Sequence, residues 1–400
     1  MTLGERRAHV LRTIDELPPL NQVAQYLLSL IGNDRTSAGD LDRAIRNDQA
    51  LTARVLKVAN SAVYGKSRRI SSLTEAVMLM GDVRLSDLVL GVSLDDALGD
   101  CGVPGFGEMA WDHSIDCAAA ARAVARFDGQ ADPDSAFVAG LMHDIGLLVI
   151  ARAAPAEMAA LLAADPADPL AAERQFLGLN HPQVGQRLLE KWNLPVALCE
   201  AVRLHHAPHR KYATTNPLVN VVALADLLTT IDGAALYPAG TRSDLFQLLK
   251  LCGVTPERLD ELFADLARSR EEAARLLAAV RGQPASAVAA RDTDTPQAVF
   301  SVYATDDLRR AWYEGVLRHL GHAVVPLADL APGSAWVVAD LHGAAPEARA
   351  RVADLAASAG APVALVDTSL PASEPWRDAP RLPMVLSSRS LAGLPDPIPA

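Results

Sequence analysis

Phe137-Val138-Ala139-Gly140-Leu141-Met142-His143-Asp144-Ile145-Gly146-Leu147-Leu148-Val149-Ile150 is apolar except for one adjacent imidazole and carboxylate. An element that is apolar all round reads as a buried helix, not an amphipathic surface one. Gly140 and Gly146 allow neighbouring backbone to approach closely. A buried histidine or aspartate is costly unless something satisfies it. The same anomaly recurs at His181 in Asn180-His181-Pro182-Gln183-Val184-Gly185, at the pair His205-His206, and at Asp226 in Ala225-Asp226-Leu227. Several such groups in one helical core suggest a common partner, either each other or a metal ion.

The chain has 400 residues and is 50% hydrophobic, enough for two or three domains at ~100–200 residues each. Its net charge of -11 and pI near 5.4 disfavour general nucleic-acid binding through phosphates. Lys66, Arg68 and Arg69 form a local basic cluster that reads as a solvated loop. Cys101, Cys117, Cys199 and Cys252 are widely spaced, without a CxxC pair. Reduced thiols in a cytosol fit this spacing better than a disulfide or structural zinc framework. Met1 to Arg12 is charged and lacks the apolar core of a signal peptide. No run approaches the ~20 apolar residues of a membrane span. A cytoplasmic location is therefore expected.

Residues 1–282 read as helical, with a subdomain over about 1–100 and a core over about 101–282. Leu51, Val55, Val58 and Ala62 recur at helical spacing. Val221 to Leu228 is apolar but for Asp226. Thr255-Pro256-Glu257 reads as a helix start, with a capping hydroxyl and proline in the first turn. Residues 283–296 lack an apolar period and read as a linker. Strand and helix then alternate over 297–393: strands at Ala298–Tyr303, His322–Leu327, Ala335–Ala339, Pro362–Val366 and Leu382–Leu386, helices at Asp307–Leu320 and Ala344–Ser358. That alternation argues for a parallel sheet covered on both faces. Residues 394–400 are a Pro-rich tail.

Several separated motifs carry a resemblance over roughly residues 10–280. They run from Leu17-Pro18-Pro19-Leu20 through Asn47-Asp48-Gln49-Ala50-Leu51-Thr52, Val58-Ala59-Asn60-Ser61-Ala62 with Tyr64-Gly65, and Ile70-Ser71-Ser72-Leu73. Trp111-Asp112-His113-Ser114 and the stretch around His143-Asp144 follow, then His181-Pro182-Gln183-Val184-Gly185, Trp192-Asn193-Leu194-Pro195 and His205-His206-Ala207-Pro208. In this order they resemble the HDOD family, the HD-related output domains of bacterial signalling proteins. The resemblance implies an all-α domain related to HD phosphohydrolases, acting mostly as a regulatory output module. The C-terminal part resembles a degenerate receiver, a small α/β domain of flavodoxin-like type. There Asp340 stands in the phosphoacceptor position, with Asp306 and Asp307 as the acidic pair, and Thr368 or Ser369 in the hydroxyl position. The receiver lysine is absent, and Arg389 is the nearest base.

By position, His143, Asp144, His181, His205 or His206, and Asp226 match the metal ligands of active HD relatives, and His113 is a candidate for the shell behind them. Histidine with aspartate suits a divalent transition metal such as Fe, Mn or Zn, while a self-satisfied hydrogen-bonded cluster without metal is the other reading. Two features count against hydrolysis. Leu147 replaces the lysine that follows the HD-I-G motif in cyclic-dinucleotide hydrolases, and no Gly-Tyr-Pro follows the histidine pair, where His209-Arg210-Lys211-Tyr212 stands instead. Asn60-Ser61 reads either as a docking surface or as a helix end. The expectation is a signal-transduction output protein, non-catalytic or weakly catalytic, that binds a regulatory partner protein or a nucleotide and has the option of a homodimer. The alternative is a metal-dependent HD-type phosphohydrolase acting on nucleotides or cyclic dinucleotides.

Overall fold

The computed structural model describes residues 1–30, 45, 48–61, 70–99, 101–164, 166, 168–206, 216–230, 245–281, 299–304, 306–326, 329, 335–340, 350–352, 354, 357, 361 and 363–366. The basic cluster at Lys66–Arg69, Tyr64-Gly65, Ala207–Tyr212, the linker, Thr368, Ser369, the fifth strand, Arg389 and the tail lie outside them. Contacts group the described residues into two units. One comprises those up to Asp226 and those from Leu266 to Arg281; the other comprises Leu227–Thr230, Leu245–Asp265 and those from Val299 onward.

The first unit is helical. Helices α1 (Leu3–Glu16), α2 (Gln22–Leu30), α3 (Gln49–Ala59), α4 (Leu73–Met80) and α5 (Asp82–Leu98) come first. The core follows in α6 (Phe106–Asp128), α7 (Pro133–Met142), α8 (Ile145–Ala153), α9 (Pro155–Ala164), α10 (Pro169–Leu177), α11 (His181–Lys191), α12 (Val196–Leu204) and α13 (Pro217–Thr229). Many helix starts are written locally. The side chains of Asp132, Asp168 and Asn180 each accept a backbone N–H, and proline stands in the first turn of α7, α10 and α11. Asn180 and Gln183 complete a reciprocal capping box.

The stretch from Phe137 to Ile150 is not one helix, as its composition suggests. Helix α7 ends at Met142, α8 begins at Ile145, and His143 and Asp144 occupy the turn between. Successive side chains on an unbroken helix diverge by about 100°. The break lets both face the same interior. Pro133–Ala153 has the length and mean hydropathy, 1.6, of a membrane span, yet 94% of that window is buried inside the protein.

Two glycines set the core spacing. A Cβ on Gly146 would lie 2.0 Å from the His181 carbonyl oxygen, and one on Gly140 2.8 Å from Ala118 Cα. Helix α8 therefore lies against the start of α11, and α7 against the alanine run of α6. The Leu17-Pro18 and Trp192-Asn193 motifs meet in space. Lys191 Nζ donates to the carbonyls of Ile14, Asp15 and Leu17 at 2.7 Å each, and Trp192 Nε1 donates to Pro18 O at 3.1 Å. These bonds satisfy carbonyls that the end of α1 leaves open. Asn193 takes the left-handed conformation at φ 56° and ends α11. Asn60 clamps Ile70 with two hydrogen bonds, Ile70 N to Oδ1 at 2.7 Å and Nδ2 to Ile70 O at 2.8 Å. It fixes the end of α3.

The second unit holds α14 (Leu245–Leu251), a 3-10 turn (Pro256–Arg258) and the start of α15 (Leu259–Arg281). These precede β1 (Val299–Ala304), α16 (Asp307–His319), β2 (Ala323–Val324), β3 (Ala335–Asp340) and β4 (Val363–Leu365). The sheet is parallel throughout with order β2-β1-β3-β4, the start of the flavodoxin-like order 2-1-3-4-5. The second strand is shorter than expected, pairing only Ala323 and Val324 with β1. Residues 350–352, 354 and 357 of the expected Ala344–Ser358 segment are helical. Thr255 does not cap a helix with its side chain. Phe246 meets Tyr313 with ring centroids 6.0 Å apart, and Phe263 meets Trp312 at 5.7 Å. Residues 245–265 thus pack with the α/β elements.

Gly146→Ala is expected to cost about 3 kcal/mol or more, because the clash is with backbone. Gly91→Ala, on α5 with nothing within 4 Å, is expected to stabilise by about 0.5–1 kcal/mol. Thermal unfolding of both variants checks the pair; a harmless Gly146→Ala would contradict the α8–α11 contact.

Candidate metal centre

Helix α6 carries His113, the α7–α8 turn His143 and Asp144, the first residue of α11 His181, the end of α12 His205 and His206, and α13 Asp226. All belong to the first unit. His113, His143, Asp144, His181 and His205 are buried; Asp226 and His206 are half-buried.

Nitrogen orientation is fixed by the far side of each ring. His143 Nδ1–H donates to Gly140 O at 2.7 Å, and His205 Nδ1–H to Val202 O at 2.8 Å. His181 Nδ1–H donates to the Glu173 carboxylate at 2.8 Å. Each Nε2 is thereby turned inward. Asp144 stands between two groups of them. Its Oδ1 lies 3.1 Å from His181 Nε2 and 3.5 Å from His205 Nε2. Its Oδ2 lies 3.4 Å from His143 Nε2 and 3.5 Å from His113 Nε2. Asp226 Oδ1 lies 3.3 Å from His113 Nε2 and 3.8 Å from His143 Nε2. The structure brings every sequence-derived candidate of this domain together. His113 stands in direct contact with His143, Nε2 to Nε2 at 3.1 Å, rather than behind it.

Sequence reasoning missed Glu173, which is wholly buried on α10 and holds His181 by both its ring and its backbone N–H, at 2.7 Å. Glu173 stands directly before Arg174 and Gln175, so it reads as part of a solvated polar stretch. Cys117 was also missed. It lies one turn after His113, buried beside His143, and burial pushes its thiol up.

Burial opposes the charge on Asp144, but the imidazoles of His143 and His181 and a hydrogen bond from His113 outweigh it and hold the carboxyl well below its usual range. Burial likewise opposes the His181 and His113 cations. Glu173 and Asp144 push His181 up to about 10, and Asp144 with Asp226 push His113 up to about 8. Burial wins at His205 and His206, which are both depressed.

The donor set fits a metal ion. Among the described residues, Asp144 Oδ1 and His205 Nε2 are buried without a hydrogen bond. The ligand atoms form two groups that share Asp144: Asp144 with His181, His205 and His206, and Asp144 with His113 and His143. Ligands held at ~2.1 Å on an octahedral ion stand about 3 Å apart, close to the separations here. Imidazole with carboxylate is the donor set of a borderline divalent ion.

The candidate receiver residues are arranged differently. Asp340 ends β3, buried, and accepts from Arg309 Nη1 at 2.7 Å and from Tyr313 OH at 3.3 Å. Asp306 caps α16 through Arg309 N at 2.9 Å and also meets Arg309 Nε at 3.2 Å. Asp307 pairs with Arg310. A guanidinium thus bridges Asp306 and Asp340.

Residues 17–208 match the HDOD domain family. A curated relative from Treponema pallidum (strain Nichols), itself uncharacterised, is 27% identical over 242 residues, 59% of this chain and 47% of its own. The chain thus spans about half the length of that relative. A structure from Marinobacter aquaeolei VT8, named a candidate signal transduction protein, matches with TM-score 0.57 and 24% identity over 70% of this chain and 66% of its own. One from Shewanella amazonensis SB2B, named a candidate phosphohydrolase, matches with TM-score 0.50 and 27% identity over 68% of this chain and 98% of its own.

Two outcomes are expected. His113 and His181 hold protons above the ordinary 6.5, so their contribution to metal-free stability is complete below 6.5 and is lost as pH rises through about 8 and about 10. His205 and His206 are depressed, so they subtract stability as pH falls below 6.5. Metal competes with these protons. Metal-stripped protein should be most stable near pH 6.5, and added manganese or zinc should raise Tm more at about pH 8.5 than at about pH 6. An equal or smaller rise at the higher pH would contradict the centre. Separately, Arg309→Ala should cost about 3 kcal/mol by leaving the buried Asp340 carboxylate without its cation, and Arg309→Leu with Asp340→Asn should recover most of that. Denaturant unfolding of the single and double variants measures it.

Proposed function

We propose that this chain is a signalling output protein whose helical domain holds one or two divalent transition-metal ions. It acts by binding a regulatory partner protein, with hydrolysis weak or absent. The observation that carries the metal is the inward set of Nε2 atoms, each fixed by a bond on the far side of its ring, around an Asp144 oxygen that makes no hydrogen bond. His113, His143, Asp144, His181, His205 and Asp226 would hold the ions, with His206 at the edge. Bound there, an ion supplies a Lewis acid and lowers the pKa of water. Glu173 keeps the His181 lone pair facing in, as a carboxylate behind a ligating imidazole does. Leu147, wholly buried, stands where hydrolytic relatives carry lysine. A phosphoester at this position would lose a group that balances its charge. All four cysteines are buried thiols outside any disulfide, which fits the reducing cytoplasm.

A second reading, a metal-dependent phosphohydrolase on nucleotides or cyclic dinucleotides, is favoured by the half-buried Asp226 and His206, which give the centre a less enclosed edge. Elemental analysis of purified protein beside Asp144→Ala tests the metal. We expect about one or two ions per chain, lost in the variant. Protein free of metal and unable to take up manganese, iron or zinc would sink the reading. Turnover of a nucleotide or cyclic dinucleotide that vanishes in Asp144→Ala would shift the conclusion to the hydrolase.

A further inference from the structure

A groove of about 610 Å³ is lined by residues of α1, α11 and α12, within the usual range for small-molecule sites, ~300–1,000 Å³. Its apolar part is Leu11, Ile14 and Leu179. Four bases, Arg7, Arg187, Lys191 and Arg203, line it against two acids, Asp15 and Glu190, in a chain whose net charge is -11. Lys191 is committed, since it donates to three backbone carbonyls. The arginines are not. Among the described residues no hydrogen bond or ion pair engages Arg7, Arg187 or Arg203. Elsewhere in the same unit Arg6, Arg54, Arg84 and Arg122 each pair with a carboxylate. Uncompensated guanidiniums converging on a concave site are the arrangement that recognises phosphate by bidentate hydrogen bonds.

We propose that this groove binds a nucleotide. Its phosphates lie on Arg7, Arg187 and Arg203, its base on Leu11, Ile14 and Leu179, and its ribose hydroxyls within reach of Asp15 and Glu190. The mixture of guanidiniums, carboxylates and an apolar floor fits a ligand that is anionic at one end, hydroxylated in the middle and flat at the other. The site stands apart from the metal reading, yet it shares helices with that centre. Helix α11 turns Gln183, Gln186, Arg187 and Glu190 to the groove and His181, Val184, Gly185 and Leu188 to the core. Arg203 stands two residues before His205. A ligand in the groove therefore bears on the two helices that place His181 and His205.

The test is calorimetric titration of the full chain with GTP, AMP and inorganic pyrophosphate. It is run on the wild type, on Arg187→Gln, on Arg7→Gln with Arg187→Gln, and on wild type after chelation. Arg7 and Arg187 are exposed and unpartnered, so these variants keep the fold. At least one nucleotide should bind, about tenfold or more weakly in the double variant, and equally well after chelation. No nucleotide binding overturns the proposal, as does pyrophosphate binding alone, which marks a simple anion site. Binding abolished by chelation but untouched by the arginine changes places the ligand at the metal centre and also overturns it.

Discussion

The buried carboxylate of Asp144 is the constraint on which the first unit depends. A charge taken out of water costs several kcal/mol unless it is closely partnered. Here the partners come from distant parts of the chain: His113 on α6, His143 beside it, His181 at the start of α11 and His205 at the end of α12. Those segments must stay in register for the charge to remain satisfied. The centre is therefore structural before it is anything else, since the pairing of Asp144 holds together the segments that present it. The coupling runs both ways, because the glycine contacts that seat α8 on α11 also set where His181 stands.

Helix α11 links the features of this unit. Its first turn carries His181 and is fixed by the Asn180–Gln183 capping box. Its last residue, Lys191, ties down the end of α1. Its buried face supports the centre and its outer face lines the groove. One short helix, capped at one end and stapled at the other, thus carries both the groove face and the residues of the centre.

The α/β unit resolves a similar problem differently. Asp340 is as buried as Asp144, but a guanidinium and a phenol satisfy it from within α16. Arg309 also lies over the Phe246 ring at 4.3 Å, so the cation that the two acids share is itself packed in place.

Local features were legible in the sequence. Proline in the first turn marked the helical start at Pro256, and strand–helix alternation marked the parallel sheet. Isolated histidines and aspartates in apolar runs marked the centre, because burial makes such residues expensive wherever they occur. Other features depended on packing across the chain. Glu173 opens the polar run Glu173-Arg174-Gln175, and only the fold places it against His181. The break at His143-Asp144 is hidden because composition does not record where a helix must turn to meet its neighbours. The grouping of residues 245–265 with the sheet, and the closure of Arg309 on Asp340, likewise follow from contacts between distant segments. Periodicity and capping are properties of a few consecutive residues, so the sequence by itself determined them. Which buried charge meets which partner is a property of the assembled core, and the tertiary structure alone decided it.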